Sequence, residues 1–177
     1  MTGSLAFRKN EDAIRAGDVP DKYMRLLPFI KGERILEIGS AEGVLALLLA
    51  RMGKNVTAIE LSDERHATAL HLFSTWAARE ARFQQPIFVN GKIGERLDLL
   101  NNIDTLVAVR VVYYLGDDLD RIFGKAAQKV KRVVLCGNKN RAASWRAGIA
   151  ATDTKADNYY ASAEGMTELL TRNGYRI

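Results

Sequence analysis

A doubly wound α/β fold with a mostly parallel sheet is the architecture this sequence predicts, and three observations carry it. Short runs rich in β-branched residues alternate with longer segments of helical period. Those runs, VVLCG and TLVAVRVVYYL among them, are continuously apolar rather than alternating, as strands buried on both faces must be. The helix from Asp117 places Leu119, Ile122, Phe123, Ala126, Ala127 and Val130 on one stripe, the pattern of a helix packed against a sheet. Alternating strands and helices imply helices on both faces of a parallel sheet.

Residues 1–18 are polar and charged around Leu5, Ala6 and Phe7 and are expected to form a mobile arm before a single domain over 19–177. Pro20 opens a helix carrying Tyr23, Met24, Leu26, Leu27 and Ile30, with Asp18 as its cap and Lys31-Gly32 as its end. There follow strand 34–39, helix 42–52, strand 55–61, helix 63–80, strand 86–90, helix 94–101, strand 104–112, helix 117–130 and strand 132–137. Asn138 to Asp157 is polar, basic and rich in small residues, and reads as a loop with a short helix over the site. SAEGMTELLTRNGY reads as a helix capped by Ser162 and stopped by Asn173-Gly174.

A chain of 177 residues fits one domain with a substantial core, and 47% hydrophobic with 27% charged residues is an ordinary globular composition. The single cysteine, Cys136, excludes an internal disulfide framework and fits a reducing compartment. No apolar run reaches the length of a membrane span and no signal-peptide core is visible, so the expected location is cytoplasmic, with no membrane partner. The net charge of +5 leans toward an anionic partner. The cations are scattered among acids along the sequence, however, which favours a mildly basic solvated surface over a nucleic-acid footprint.

The most specific segment is ILEIGSAEG, Ile35 to Gly43. It reads as a buried strand bearing Glu37 at its carboxyl end, a turn of Gly39, Ser40, Ala41, Glu42 and Gly43, then an apolar helix. A strand, a glycine-containing turn and a helix amino terminus present backbone N–H groups and allow close approach of a ligand. The next strand ends in Glu60, about twenty residues on, where a carboxylate can accept both hydroxyls of a ribose. An adenosine-bearing cofactor is implied. Gly39 and Gly43 are four apart with Ala41 between them, which departs from the G-x-G-x-x-G of a pyrophosphate cradle. Glu37 would repel a pyrophosphate but suits an ammonium, which argues against NAD.

With these residues the chain resembles the class I S-adenosylmethionine-dependent methyltransferases from Arg34 to its carboxyl end. It matches the acid and the outer glycines of their first motif and carries Ala41 in place of the middle glycine. The resemblance implies a Rossmann-like fold and S-adenosylmethionine as cofactor. Glu37 would meet its ammonium, Gly39, Ser40, Ala41 and Gly43 would line the turn, Glu60 would hold the ribose and Leu61 would pack on the adenine. Where the family often has an Asp after the third strand, this chain has Asn90, Gly91 and Lys92; Asn90 can still bond an adenine edge, whereas Lys92 cannot accept from an amino group. The family's antiparallel closing hairpin is expected to be missing or shortened here, leaving a sheet edge that a second subunit could cover.

Acceptor chemistry is expected at the end of the fourth strand, AVRVVYYLGDD, through Arg110, Tyr113 and Tyr114. Arg110 on an apolar strand predicts a buried guanidinium paired with a core carboxylate or an anionic substrate. The run lacks Asn-Pro-Pro-Tyr, and no metal is expected, since His66 and His71 are five apart on one helix and face different ways. Cys136 reads as a buried apolar residue. The reading is methyl transfer from S-adenosylmethionine to an acceptor, with a small molecule ahead of RNA, which Lys139, Arg141 and Arg146 would favour. A non-catalytic cofactor- or RNA-binding module is the remaining alternative.

Overall fold

The computed structural model describes residues 11–16, 18, 20–78, 84–149 and 157–177. Five strands, β1 (Arg34–Ile38), β2 (Asn55–Glu60), β3 (Ile87–Asn90), β4 (Thr105–Val109) and β5 (Arg132–Cys136), form one sheet in the order β3-β2-β1-β4-β5. Every pairing is parallel. The chain winds outward in one direction from β1 to β3 and in the other from β4 to β5. The carboxyl ends of β1 and β4 therefore flank a topological switch point, where open α/β sheets bind ligands.

Alternation along the central strands builds two core layers. Ile35 and Val107 face α3 (Val44–Arg51) and α4 (Asp63–Ala77), with Leu45, Leu49, Leu72 and Trp76. Leu36, Ile38, Leu106 and Ala108 face α5 (Leu119–Ala127), with Ile122 and Phe123 fully buried, and Leu169 of α7 (Ala163–Arg172) joins that layer. Ser62 caps α4 by accepting from the amide of Arg65 at 3.4 Å, and Ser162 caps α7 by accepting from that of Gly165 at 3.0 Å. Gly174 at φ +86° turns the chain out of α7 as the sequence predicts.

Several expected boundaries move, each for a local reason. Glu11–Ala16 forms α1 and buries Ile14 in the core, so the helical part of the expected arm is packed; residues 1–10 lie outside the described residues. The helix after Pro20 is only α2 (Asp21–Met24), and Pro20 itself occupies the cap position with no side-chain cap bond, so Asp18 does not cap it. Pro28 cannot donate to a continuing α-helix, and the chain finishes in the 3₁₀ turn Leu27–Phe29. Segment 94–101 is two 3₁₀ turns, Ile93–Glu95 and Leu97–Leu100, broken at Arg96 (φ −125°, ψ 44°), with Ile93 and Leu100 buried. Strand 104–112 stops at Val109, because Arg110 enters the left-handed region at φ +57°. Ala127 is exposed: at eight residues from Leu119 it lies about 80° around the helix, beyond the buried stripe. The last residues of the expected helix 63–80 fall outside the described residues, while α4 itself ends at Ala77. Among the described residues β3 and β5 are the sheet edges, and no strand follows α7.

Candidate cofactor and acceptor site

Three alternate residues of the turn after β1 are left-handed: Gly39 at φ +66°, Ala41 at +51° and Gly43 at +73°. The amides of Gly39 and Ser40 both donate to the carbonyl of Ile59, at 2.9 and 3.2 Å, which draws the turn against the end of β2. A Cβ on Gly39 would lie 2.5 Å from Cγ2 of Val111, and one on Gly43 would lie 2.7 Å from the Phe88 ring. Both glycines are thus demanded by packing as well as by φ. Ala41, where the family carries its middle glycine, holds the same backbone conformation at a cost of about 1–2 kcal/mol.

Glu60 locks the two strand ends together. Its Oε2 accepts the amide of Ala41 at 2.8 Å and its Oε1 accepts that of Ser62 at 2.9 Å. The carboxylate is buried, and each oxygen keeps a lone pair beyond the one already used. Leu61, the next residue, is 60% exposed. Asn90 stands beside Glu60 across β2 and β3, and its Nδ2 donates to Oδ1 of Asp63 at 2.9 Å, leaving the carboxamide oxygen as an acceptor.

Glu37 lies on the face of β1 that meets α3 and accepts the amide of Ala46 in that helix's first turn. Its Oε2 is buried without a hydrogen-bond partner, as is the hydroxyl of Ser40. Burial pushes the Glu37 carboxyl up to about 8, partly opposed by the Lys22 ammonium. Lys22 and Tyr23 of α2 reach this corner, a placement the sequence did not announce. Burial and the Arg110 guanidinium lower Lys22, while burial beside Glu37 and Glu42 raises the Tyr23 phenol. The turn therefore holds two buried polar atoms in want of a partner, next to a pinned carboxylate and an exposed apolar side chain. That donor and acceptor set fits an ammonium, a vicinal diol and a purine face.

The three acceptor candidates do not share one open wall. Arg110 is exposed rather than buried, and its amide donates to the Cys136 carbonyl at 2.7 Å, which turns the chain over the end of β5. Cys136 is half-buried rather than enclosed. Tyr113 is buried; its hydroxyl accepts from Nδ2 of Asn138 at 3.3 Å and its carbonyl accepts the amide of Asp157 at 2.8 Å. Tyr114 is 43% exposed and stacks on Tyr113 with ring centroids 4.6 Å apart.

These tyrosines lie beneath a cap built from α6 (Lys139–Arg146) and the 3₁₀ turn Asn158–Ala161. Gly137 admits that cap, since a Cβ there would meet the Ala161 carbonyl at 2.2 Å. The Arg141 guanidinium lies over both tyrosine rings and donates to the Tyr114 hydroxyl and to Oδ1 of Asn158. Arg146 pairs with Glu164 at 2.8 Å. Two of the three cations expected to favour RNA are thus occupied within the protein. His66 is half-buried and His71 exposed on α4, and among the described residues no His, Cys, Asp or Glu cluster could hold a metal.

Comparison with known proteins bears on the fold and the family. The chain is 32% identical over 128 residues to a ubiquinone biosynthesis O-methyltransferase of Paramagnetospirillum magneticum, covering 72% of this chain and 46% of that protein. The chain thus spans about half the length of that curated relative. Its fold matches that of magnesium protoporphyrin IX methyltransferase from Synechocystis, crystallised with bound S-adenosylhomocysteine, at a TM-score of 0.65 and 16% identity, covering 100% of this chain and 80% of that one. An S-adenosylmethionine-dependent methyltransferase from Clostridium acetobutylicum matches at a TM-score of 0.52 and 20% identity, over 71% of this chain and 52% of the other. The family described as methyltransferase domain matches residues 11–177, and the chain belongs to that family, of the class I S-adenosylmethionine-dependent type.

Proposed function

We propose that this chain binds S-adenosylmethionine across the carboxyl ends of β1 and β2 and directs its methyl group to a small-molecule acceptor. The observation that carries the reading is Glu60, buried and held by the amides of Ala41 and Ser62 so that its free lone pairs lie at the end of β2. A carboxylate fixed in that way accepts a ribose diol without having to be ordered on binding. Glu37 supplies the matching acceptor for the amino-acid ammonium, directly or through water, and Leu61 and Asn90 serve the adenine.

When bound, the cofactor supplies an electrophilic methyl carbon on a sulfonium. The chain's own contribution is to orient the nucleophile and exclude water, for which effective positioning supplies several kcal/mol. Arg110 stands at the end of β4, beside the corner formed by Lys22, Glu37 and Glu42, and Tyr114 is partly exposed beside the cap. A small acceptor is supported by the curated relative named an O-methyltransferase of ubiquinone biosynthesis and by the internal engagement of Arg141 and Arg146.

Calorimetry tests the cofactor. S-adenosylhomocysteine should bind and NAD should fail to compete, and Glu60→Ala should weaken binding by about tenfold or more, as expected for the loss of charge-assisted hydrogen bonds. Micromolar NAD binding with no heat from S-adenosylhomocysteine would sink the assignment. A labelled-methyl screen against metabolite, protein and RNA extracts tests the acceptor: label in RNA alone rejects a small molecule, and cofactor binding with no transfer in any extract identifies a binding module.

A further inference from the structure

In the sequence the basic residues are scattered, yet the fold gathers six of them at one end. Every strand of a parallel sheet begins at the same edge. The residues at or just before the amino ends of β1, β2 and β5 are Lys31, Arg34, Lys54, Lys129, Lys131 and Arg132, opposed there by Glu33 and Asp104. This edge is the pole opposite the turn after β1. It also contains an open concavity of about 490 Å³, lined by Arg34, Lys129, Lys131, Asn101, Asn102 and Ile103.

The cations are held in place from behind. Oδ2 of Asp104 accepts the amides of Glu33 and Arg34 at 3.1 and 3.0 Å, while its Oδ1 meets Arg34 at 3.4 Å and Lys131 at 3.1 Å. Those four donors occupy the carboxylate, yet the side chains of Arg34 and Lys131 remain 49% and 79% exposed. A guanidinium and an ammonium keep further N–H donors when one is engaged. Lys129 donates to Oδ1 of Asn101, whose carboxamide also carries an amino group able to donate, and Asn101 lines the concavity. Asn102 holds the turn there at φ +58°, a conformation asparagine tolerates. The site therefore offers three cations and carboxamide donors around one concavity. Asp104 offsets one of the three positive charges, and the remainder favours an added anion.

We propose that this amino-end cavity binds a compact phosphate-bearing anion, with Arg34, Lys129 and Lys131 as its ligands and Asn101 as an added donor. Arg34 supplies the planar fork suited to phosphate oxygens, and the two lysines act as point charges on either side. The site is separate from the cofactor turn and does not depend on methyl transfer.

The test uses pyrophosphate as the probe on the full chain at low ionic strength. Calorimetry should show saturable binding, and the melting temperature should rise with the logarithm of pyrophosphate concentration above the dissociation constant. Both responses should vanish in Lys129→Glu/Lys131→Glu and persist in Lys139→Glu, which reverses a charge on α6. Amide shifts in the unaltered chain give a reading independent of any variant's folding: they should cluster at 101–104 and 129–131. Parallel sedimentation with phosphatidylglycerol vesicles separates sources, since vesicle binding lost in the double variant places the phosphate in a lipid headgroup, and pyrophosphate binding without it places it in a soluble ligand. The proposal is overturned if sulfate at matched ionic strength gives the same response, if the shifts fall elsewhere, or if duplex RNA binds while pyrophosphate does not.

Discussion

The Arg141 guanidinium donates to the Tyr114 hydroxyl at 2.7 Å while lying 5.1 Å from the centroid of the same ring. It lies 5.0 Å from the Tyr113 ring as well, so one side chain joins α6 to the segment after β4. The cap is thereby tied to the segment after β4, where acceptor chemistry is proposed.

Replacing Arg141 should separate cap from cofactor. Arg141→Ala removes the stacking and the hydrogen bonds to Tyr114 and Asn158, and should lower Tm by about 2–4 °C. S-adenosylhomocysteine affinity should stay within about twofold, because no cofactor ligand is disturbed. Arg141→Lys should recover only part of the loss, since an ammonium lacks the planar fork that serves Tyr114 and Asn158 together. Scanning calorimetry and a binding isotherm on both variants check this; a lysine as good as arginine would contradict the role of the planar fork.

The turn after β1 offers an internal contrast at two positions two residues apart. Gly39→Ala drives a methyl into Val111 and strains a left-handed φ, and should destabilise by about 2–4 kcal/mol. Ala41→Gly relieves the left-handed strain, which offsets glycine's greater flexibility in the unfolded chain, and should leave stability within about 1 kcal/mol of the parent. Urea unfolding of the two variants measures both.

Glu37 should give the fold a pH dependence of a particular sign. Its carboxyl ionises near 4.5 when exposed and is pushed up to about 8 when folded, so the native state holds the proton longer. This contribution to stability is fully present below about pH 4.5 and is lost as pH rises through about 8. Glu37→Gln should flatten that part of the stability profile. If an ammonium ligand draws Glu37 into its charged form, binding at pH 7 should release protons, which appears as a dependence of the calorimetric heat on the buffer's ionisation enthalpy. An unchanged stability slope in the Gln variant would count against the burial of this carboxyl.

Arg172, near the end of α7, meets both oxygens of Asp120 at 2.7 and 3.1 Å and donates to the Tyr160 hydroxyl at 3.0 Å. This one residue couples α7, α5 and the cap. Arg172→Ala should lower Tm by about 2–4 °C, and the loss should shrink at high salt, because Asp120 is 63% exposed. A salt-independent loss would instead assign the effect to packing of the arginine stem.

The sequence by itself determined the parallel α/β plan, the turn after β1 with its outer glycines, the acid at the end of β2 and the cap at Ser162. Those features are local: continuous apolar runs, fixed glycine spacing and a hydroxyl bonding a neighbouring amide a few residues on. Only the tertiary structure decided that β4 ends at Val109, because Arg110 becomes left-handed where its amide finds the Cys136 carbonyl across the sheet. Tertiary structure alone also brought Lys22 beside Glu37 and tied Arg141 to Tyr114, contacts between segments far apart in the chain. Charge shows the difference most plainly. The cations at 31–34, 54 and 129–132 look dispersed along the chain, and a parallel sheet brings them together because each of its strands starts at the same edge.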